Sequence, residues 1–343
     1  MRSPAAWLRG VRHPEAFHGR GKRHGFFEGW YVKLVSADRR QRWAVIPGVF
    51  RGLPGDEDRD EAFVQVLDGL TGRSWYHRFP VAQFSASDRH FSVRVGPNTF
   101  DSTGMTVDLP QLRGRVTYST PLQPWPVTMG EPGIMGWYGL VPMMECFHGI
   151  VSFGHGLSGD LEVQGAPVSF TDGRGYIETD WGRAFPSGYV WMASNHVDCA
   201  SGEAVAASEA SLVASVAIIP WLGRPFRGSI AGLQHSGRLH RWTTYNGTVE
   251  RRLVIDDNHV NWTLAGPDGL LELDAERVRG GLLRAPLRTA MHMRVEETLD
   301  ANIHFTHTAP DGRILLQGVA ECAGLEVFGD VARLLALPAR RSG

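Results

Sequence analysis

Short runs in which apolar and polar residues alternate dominate this sequence and constrain its fold more than any other feature. The clearest runs are Phe26–Leu34, Trp43–Phe50, Ala62–Leu67, Phe91–Val95, Cys146–Phe153, Gly175–Trp181, Tyr189–Asn195 and Arg252–Ile255. A period of two residues is typical of antiparallel strands, and the 41 Gly and 20 Pro residues of the chain suit tight turns. Only Val331–Leu337 fits a short helix. The pattern therefore predicts an all-β protein.

The length of 343 residues corresponds to about two domains of ordinary size. Near the middle, the Pro- and Gly-rich stretch Pro121–Gly139 interrupts the strand rhythm, which makes it a candidate connector or lid. The rhythm then resumes for a similar length. We therefore expect two β units, an N-terminal one over residues 15–160 and a C-terminal one over residues 161–337.

Charge and motif content exclude several classes of function. Lys and Arg number 35 against 36 Asp and Glu, so no basic excess is available for a nucleic acid backbone. The sequence has neither a Walker loop nor a Gly-rich dinucleotide turn, which argues against nucleotide chemistry. No signal peptide and no long apolar run is visible, so we expect a soluble, cytoplasmic protein. The three cysteines, Cys146, Cys199 and Cys322, are spaced for neither a disulfide framework nor a zinc motif.

The segment Gly175–Gly182 is the most distinctive candidate for chemistry. On a strand, its alternation places Tyr176, Glu178 and Asp180 on one face, with the two carboxylates about 7 Å apart. If that face lines an apolar cavity, desolvation and mutual repulsion raise a carboxyl pKa and keep one group protonated as a general acid. The alternative is a solvent-exposed face whose carboxylates pair with Arg174 or Arg183.

Two other segments place a polar group beside a tryptophan. Glu28 and Trp30 share one face of a predicted strand, which suits either a site wall or a satisfied core pair. Trp191 and Asn195 also share a face, and together they offer an apolar wall with one amide that can hydrogen-bond a polar head group. That surface would suit an amphipathic ligand, although ordinary core packing explains it equally well.

A further segment, Trp137–Gly149, contains Glu145 and His148. His148 and His155 lie seven residues apart, so they face opposite sides of a regular strand and make a poor metal pair. A zinc or iron site would need histidines distant in sequence, such as His77, His196 or His292. We therefore expect no metal.

Taken together, these segments resemble the tocopherol cyclase family. The matching pieces are Phe17–Gly19, Phe27–Tyr31, Val141–Gly149, Gly175–Gly182 with Phe185-Pro186, and Ala323–Val327. They occur in the family's order and span nearly the whole chain. The chain departs from the family pattern at Phe147, Thr179 and Ala184, where Tyr, Lys and Ser are usual, but no carboxylate is lost.

The resemblance implies two lipocalin-like antiparallel β-barrel halves with few helices. It also implies a cofactor-independent isomerase that closes the chromanol ring of a prenylated hydroquinone, as in vitamin E biosynthesis. Such a reaction needs a carboxylic acid to protonate the prenyl double bond, a base for the phenol proton, and exclusion of water from the carbocation. Aromatic faces stabilise that cation by about 0.5–2 kcal/mol each. We therefore expect the acid to point into a dry, aromatic-lined hollow inside a barrel.

The chemistry implied by the resemblance gives each candidate residue an expected role. Asp180 is the expected acid, and Glu178 raises its pKa or accepts the phenol proton. Tyr176 is a candidate ring for the cation, together with Trp30 and Trp181. The remaining candidates are the reserve acids Glu28 and Glu145 and the substrate-binding residues His148, Asn195, Trp191 and Trp137.

Two other functions fit the same residues. A lipocalin-type carrier would bind an isoprenoid lipid without changing it, and a hydratase would use the same acid with water as the nucleophile. A substrate of this kind lives in the bilayer, so we also expect peripheral membrane contact through Trp125, Met129, Ile134 and Trp137 in the Pro121–Gly139 stretch.

Overall fold

The computed structural model describes residues 9–142, 144–199, 210–221 and 223–339. It is nearly all β, as the alternation predicts, with its strands in two antiparallel sheets. All eight predicted runs coincide with strands, and the predicted helix is present at Val331–Ala336. Met143, in the Val141–Gly149 motif, lies outside the described residues.

The first sheet contains twelve strands in the order β4-β3-β2-β1-β12-β10-β9-β8-β7-β6-β5, with β11 paired to β10. Their bounds are β1 Phe26–Val35, β2 Arg42–Arg51, β3 Glu61–Asp68, β4 Ser74–Phe79, β5 Phe84–Ala86, β6 Ser92–Val95, β7 Asn98–Asp101, β8 Gly104–Asp108, β9 Leu112–Tyr118, β10 Cys146–Val163, β11 Ala166–Ser169 and β12 Arg174–Gly182. Short 3-10 helices occupy Glu57–Arg59, Val81–Gln83 and Gly136–Leu140.

The second sheet contains eleven strands in the order β17-β16-β15-β13-β23-β22-β20-β19-β18, with β14 paired to β23 and β21 paired to β22. Their bounds are β13 Gly188–Ser194, β14 His196–Cys199, β15 Ser211–Ile219, β16 Phe226–His235, β17 Arg238–Thr243, β18 Val249–Ile255, β19 His259–Gly266, β20 Gly269–Glu276, β21 Gly281–Pro286, β22 Met291–Thr308 and β23 Ile314–Gly329. Closure of either sheet into a lipocalin-like barrel stays a prediction.

The chain forms two compact units, and their boundary differs from the expected one. The first unit takes in the described part of Met1–Phe185 and also Leu282–Arg294, and the second takes in the described remainder. A division between residues 160 and 161 would cut β10, an 18-residue strand that pairs with both β9 and β12 in the first sheet. The long strand ties both sides of that point into one unit.

Each unit has its own apolar core. In the first, buried side chains such as Trp30, Val32, Leu34 and Ile177 pack on one face of the first sheet. In the second, Trp242 and Trp262 are among the largest fully buried side chains. No helix in the described ranges is long and apolar enough to cross a membrane.

The Pro121–Gly139 stretch is part of the first unit rather than a connector between the units. Its backbone is tied to β10, because the amide of Trp125 donates to Ile150 and the amide of Phe153 donates to Gln123. Trp125 and Ile134 are each only 1% exposed, so neither can form the membrane-facing surface expected from the sequence. Met129 remains exposed on this stretch.

Candidate active site

The candidate site lies on β12, between β1 and β10 in the first sheet. Alternation along β12 places Tyr176, Glu178 and Asp180 on one face, whereas Ile177 points into the apolar core of the unit. Tyr176 and Glu178 are buried, with 2% and 4% of their surface exposed. The phenol of Tyr176 donates a hydrogen bond to Glu178 Oε2. The structure therefore brings the three predicted side chains together.

His148 completes this group from the neighbouring strand. It is the direct cross-strand partner of Asp180, so the two side chains share a face. Its Nδ1 lies 2.9 Å from Asp180 Oδ1, and its Nε2 lies 3.7 Å from Glu178 Oε2. The imidazole thus stands between two carboxylates. We call Tyr176, Glu178, Asp180 and His148 the acid–base cluster.

Electrostatics fix the charge of two members of the acid–base cluster. Burial of His148 opposes its charged form, but the carboxylates of Asp180 and Glu178 outweigh burial and raise the pKa of the imidazole to about 9. At neutral pH His148 is therefore an imidazolium, and both ring nitrogens can donate. Burial, followed by the adjacent Glu178 carboxylate, raises the pKa of the Tyr176 phenol well above its ordinary value. Tyr176 accordingly remains a hydrogen-bond donor.

The acid–base cluster does not point into the apolar core of the first unit, and the expected hollow inside a barrel stays a prediction. The acid–base cluster occupies the opposite face of the first sheet, where a smaller apolar group packs instead. That group consists of Phe27, Phe50, Phe63 and Met291, with Cys146 packed against it. The Cys146 sulfur lies 4.0 Å from Asp180 Oδ1, so the aromatic group and the acid–base cluster are neighbours.

The strand opposite β12 contributes three residues that the sequence-based site omitted. In the β1–β12 register, Gly29 faces Asp180, Tyr31 faces Glu178 and Lys33 faces Tyr176. Tyr31 and Lys33 are buried, and the rings of Tyr31 and Tyr176 make an edge contact at 6.4 Å. Gly29 leaves space beside Asp180, since the nearest atoms to an added Cβ, in Ile46 and Pro47, would be 3.7 Å away. The sequence signal that could have indicated Tyr31 and Lys33 was the alternation that places both on one face of their strand.

Three predicted site residues lie on the core face of the sheet. Glu28 is fully buried, and its carboxylate accepts hydrogen bonds from the backbone N–H of His18 at 2.8 Å and from His18 Nδ1 at 2.7 Å. Trp30 lies in the apolar core, and Trp181 stacks on the His18 ring at 3.7 Å. Glu28 and Trp30 are thus core residues, which is the second of the two alternatives that their alternation allowed. Neither Trp30 nor Trp181 faces Asp180.

The remaining predicted residues make other contacts or belong to the second unit. Glu145 forms an ion pair with Arg288, and Trp137 is 39% exposed and stacks on Tyr138. In the second unit, Trp191 lies in β13 and Asn195 follows that strand, and both are buried.

Two groups of side chains in the described part of the chain have the composition of metal sites. One is His148 with Glu178 and Asp180, and the other is His235 with His240 and His307. Neither includes His77, His196 or His292, the histidines suggested by the sequence. In the first group the potential ligands already engage one another as an ion-paired acid–base system.

The fold and the acid–base cluster define a two-sheet β protein with a partly buried imidazolium–carboxylate site. The sequence model of the tocopherol cyclase-like family matches residues 108–329, which is more than half of the chain and includes the whole cluster. The chain belongs to this family, as the motifs predict.

Solved structures support the fold. Kievitone hydratase from Nectria haematococca is similar, with 12% identity and a TM-score of 0.50 over 92% of this chain and 94% of that chain. CghA in complex with Sch210972 is similar with 11% identity and a TM-score of 0.52 over 89% of each chain. At these identities the likeness establishes a shared fold alone. The sequence matches none of the curated proteins.

Proposed function

We propose that the protein is an acid–base enzyme that protonates the double bond of a prenylated hydroquinone and closes a chromanol ring. The observation that carries this proposal is the acid–base cluster, in which an imidazolium stands between two carboxylates beside a buried phenol. Membership of the tocopherol cyclase-like family supports the choice of substrate class.

Asp180 is the proton donor in this proposal. In the free site Asp180 is the carboxylate that accepts a hydrogen bond from His148 at Oδ1. It takes up a proton at Oδ2 when the substrate covers the site, and this proton passes to the alkene. Transfer leaves a carboxylate, and the adjacent imidazolium stabilises that negative charge as it develops. His148 therefore acts as a positioning residue that stabilises the product of the proton-transfer step.

Glu178 is the base for the second half of the reaction. The phenol oxygen of the substrate attacks the tertiary carbocation, the C–O bond closes the ring, and the phenol proton passes to Glu178. The site is reset when Glu178 releases this proton to solvent as the product leaves and Asp180, whose side chain is 26% exposed, takes up another. The reaction is then an isomerisation that consumes no cofactor.

Aromatic rings on the site face would stabilise the cation. Tyr31 and Tyr176 flank Glu178, and Phe27 lies in the apolar group next to Cys146. Each well-placed ring contributes about 0.5–2 kcal/mol. These rings replace Trp30 and Trp181 in the proposed mechanism, since both tryptophans face the core.

A hydratase is the second candidate, because 26% of the Asp180 side chain remains exposed. Solvent that reaches Asp180 could attack the same cation in place of the phenol oxygen. Kievitone hydratase, named above, shares the fold, and its name describes the addition of water.

One incubation separates these functions. Purified protein is mixed with a prenylated benzoquinol in heavy water, and the products are analysed by mass spectrometry. Cyclisation inserts one carbon-bound deuteron without adding water, whereas hydration adds the mass of water. Recovery of bound but unchanged substrate would contradict both enzymes and favour the carrier.

Two variants test whether Asp180 is the acid. Asp180→Asn is expected to abolish turnover while retaining substrate binding, because the amide keeps the shape of the carboxyl but cannot donate its proton. Asp160→Asn is a matched control, since Asp160 is an exposed carboxylate on β10. Full activity of Asp180→Asn would remove Asp180 from the acid role.

An isoprenoid substrate would reach the protein from a bilayer, so we also propose peripheral membrane contact. Met129 is 94% exposed and Trp137 is 39% exposed, and both lie in the Pro121–Gly139 stretch. Liposome flotation tests this contact, and a Met129→Asp variant should float less than the wild type. Equal flotation of both proteins would contradict a role for this stretch.

A further inference from the structure

A second cluster of titratable side chains lies in the second unit and has no part in the proposed chemistry. It consists of His235 at the end of β16, His240 in β17 and His307 in β22, all three buried. We call it the histidine cluster. One ring nitrogen from each residue lies within 4.8 Å of those of the other two.

A tight hairpin brings the first two histidines together. Ser236 and Gly237 have φ values of 50° and 71°, and left-handed conformations at both central residues are typical of a two-residue hairpin turn. His235 pairs with Arg238 in this hairpin, and His240 lies two residues further along β17, so both rings share one face. Their centroids are 4.5 Å apart.

The hydrogen bonds of the histidine cluster define which nitrogens can bind a ligand. His307 Nε2 donates to the carbonyl oxygen of Asp268 at 2.9 Å, which leaves its Nδ1 as an acceptor. His235 Nε2 lies 3.1 Å from that Nδ1 and donates to it. A single proton therefore lies between two imidazole nitrogens that point at each other.

This spacing suits a metal ion. Two nitrogens bound to tetrahedral zinc at about 2.0–2.1 Å are separated by about 3.3 Å, close to the separation of these two atoms. A zinc ion could take the position of this proton after a small displacement of either ring, and the proton would move to His235 Nδ1, which lies 3.4 Å from the hydroxyl of Ser236. A histidine that binds a metal through one ring nitrogen usually donates its other N–H to a carboxylate, a backbone carbonyl or water. The hydrogen bond from His307 to the carbonyl oxygen of Asp268 would be such a contact.

We propose that His235, His240 and His307 form a binding site for a divalent transition-metal ion, with zinc as the preferred occupant. The carboxylate of Asp268 supports the third ligand, because its Oδ1 lies 3.8 Å from His240 Nδ1 and can orient that ring. Asp268 also pairs with Arg238 at 2.7 Å, which offsets the positive charge nearest to the site.

The charge state of the rings agrees with this assignment. Burial, followed by the neighbouring histidines, lowers the pKa of His235 to about 4, and burial followed by His307 lowers that of His240 to about 4. Burial also lowers the pKa of His307. Neutral imidazole is the form that binds metal, so no proton release from an imidazolium is needed at neutral pH.

A bound ion would link strands that are not neighbours in the sheet. The β16–β17 hairpin lies at one end of the strand order, whereas β22 lies well inside it. The link would reinforce existing bonds to the β19–β20 turn, where Trp242 Nε1 donates to Gly269 at 2.9 Å. We therefore expect the ion to stabilise the second unit and to leave the acid–base cluster unaffected.

Zinc titration of chelator-treated, full-length protein tests the proposal. We expect one equivalent to bind by calorimetry, and Co²⁺ in its place to give the visible absorption of a tetrahedral site. His235→Gln and His240→Gln should each weaken zinc binding by about 100-fold or more, since loss of an outer-shell partner alone costs about 10–100-fold. Zinc should raise the melting temperature of the wild type and of neither variant.

Three further variants distinguish ligation from folding and from other sites. His235→Cys supplies another zinc ligand and should retain binding, which His235→Gln does not. His304→Gln removes an exposed histidine from the same strand as His307, and His148→Gln removes the other candidate cluster. Both should bind zinc as the wild type does. Absent binding, unchanged binding in His235→Gln and His240→Gln, or loss of binding in His148→Gln would overturn the proposal.

Discussion

The charge of His148 should make the stability of the protein fall between neutral and alkaline pH. The imidazole pKa rises from 6.5 to about 9 in the folded protein because Asp180 and Glu178 outweigh its burial. A group with a raised folded pKa contributes stability that is complete below its unfolded pKa and is lost as pH rises through its folded pKa. The window for this loss is therefore from about pH 6.5 to about pH 9.

The size of the pKa shift of His148 determines how much stability is lost. The difference between a pKa of 6.5 and one of about 9 corresponds to roughly 3 kcal/mol at most, at about 1.36 kcal/mol per pKa unit. The side chain of His148 is only 12% exposed, so solvent weakens this contribution little. For a unit of 150–250 residues, 1 kcal/mol moves the melting temperature by roughly 2–4 °C. Raising the pH from 6 to 10 should thus lower the melting temperature of the wild type by roughly 6–12 °C more than that of a variant without the imidazole.

Two measurements on the same proteins check this. Thermal unfolding of the wild type and of His148→Gln is followed at several values between pH 6 and pH 10, and the difference between the two curves isolates the imidazole. NMR titration of the histidine rings should show one resonance with a midpoint near pH 9 that is missing from His148→Gln. His304→Gln serves as control, because its ring is 57% exposed and lies outside the acid–base cluster.

Parallel melting curves for wild type and His148→Gln, together with an imidazole that titrates near pH 6.5, would refute the reasoning. His148 would then be neutral at physiological pH. It could not stabilise the carboxylate left by Asp180 after proton transfer, and the proposed acid would lack its positioning group.

Other substitutions test individual contacts. Tyr176→Phe removes the donor to Glu178, and a charged hydrogen bond of about 1.5–3 kcal/mol predicts a fall in kcat of about 10- to 100-fold in steady-state assays. Gln65→Leu removes two hydrogen bonds to the backbone of Arg284, at 2.7 and 2.8 Å, so amide exchange around Arg284 should accelerate in mass spectrometry. Glu28→Gln weakens the buried pair with His18 by about 1–3 kcal/mol, which should lower the melting temperature while changing kcat far less than Asp180→Asn does.

The local pattern was sufficient to predict strands and the shared face of the carboxylates, but not the division into units. A period of two residues determines which side chains share a face, so Tyr176, Glu178 and Asp180 could be grouped from the sequence. The ends of β10 could not be predicted, because its later part, beyond Phe153, has Gly and polar residues that resemble a turn. Tertiary pairing with β9 and β12 overrides that local preference.

The alternation does not show which face of a strand packs into the core, and this face decides which residues belong to the site. Alternation separates Trp30 and Glu28 from Tyr31 and Lys33, but it does not say which pair accompanies Asp180. The register between β1 and β12 answers this, since Tyr31 lies opposite Glu178. Register depends on contacts between strands far apart in sequence, and the alternation within one strand does not reveal it.

The position of the acid–base cluster outside the apolar core has a chemical consequence. A fully enclosed carboxylate pair would have to lose its charge. Glu178 and Asp180 instead have the His148 imidazolium between them, and the Asp180 carboxylate is partly exposed. Water can therefore approach Asp180 until a substrate covers it, and the choice between cyclisation and hydration depends on how completely the prenyl chain does so. Gly29, opposite Asp180, is the most direct place to change that fit. Gly29→Val should crowd the substrate beside the acid and, if covering by the prenyl chain excludes water, raise the ratio of hydrated to cyclised product in the heavy-water assay. An unchanged ratio with a reduced rate would show that water is excluded by some other contact.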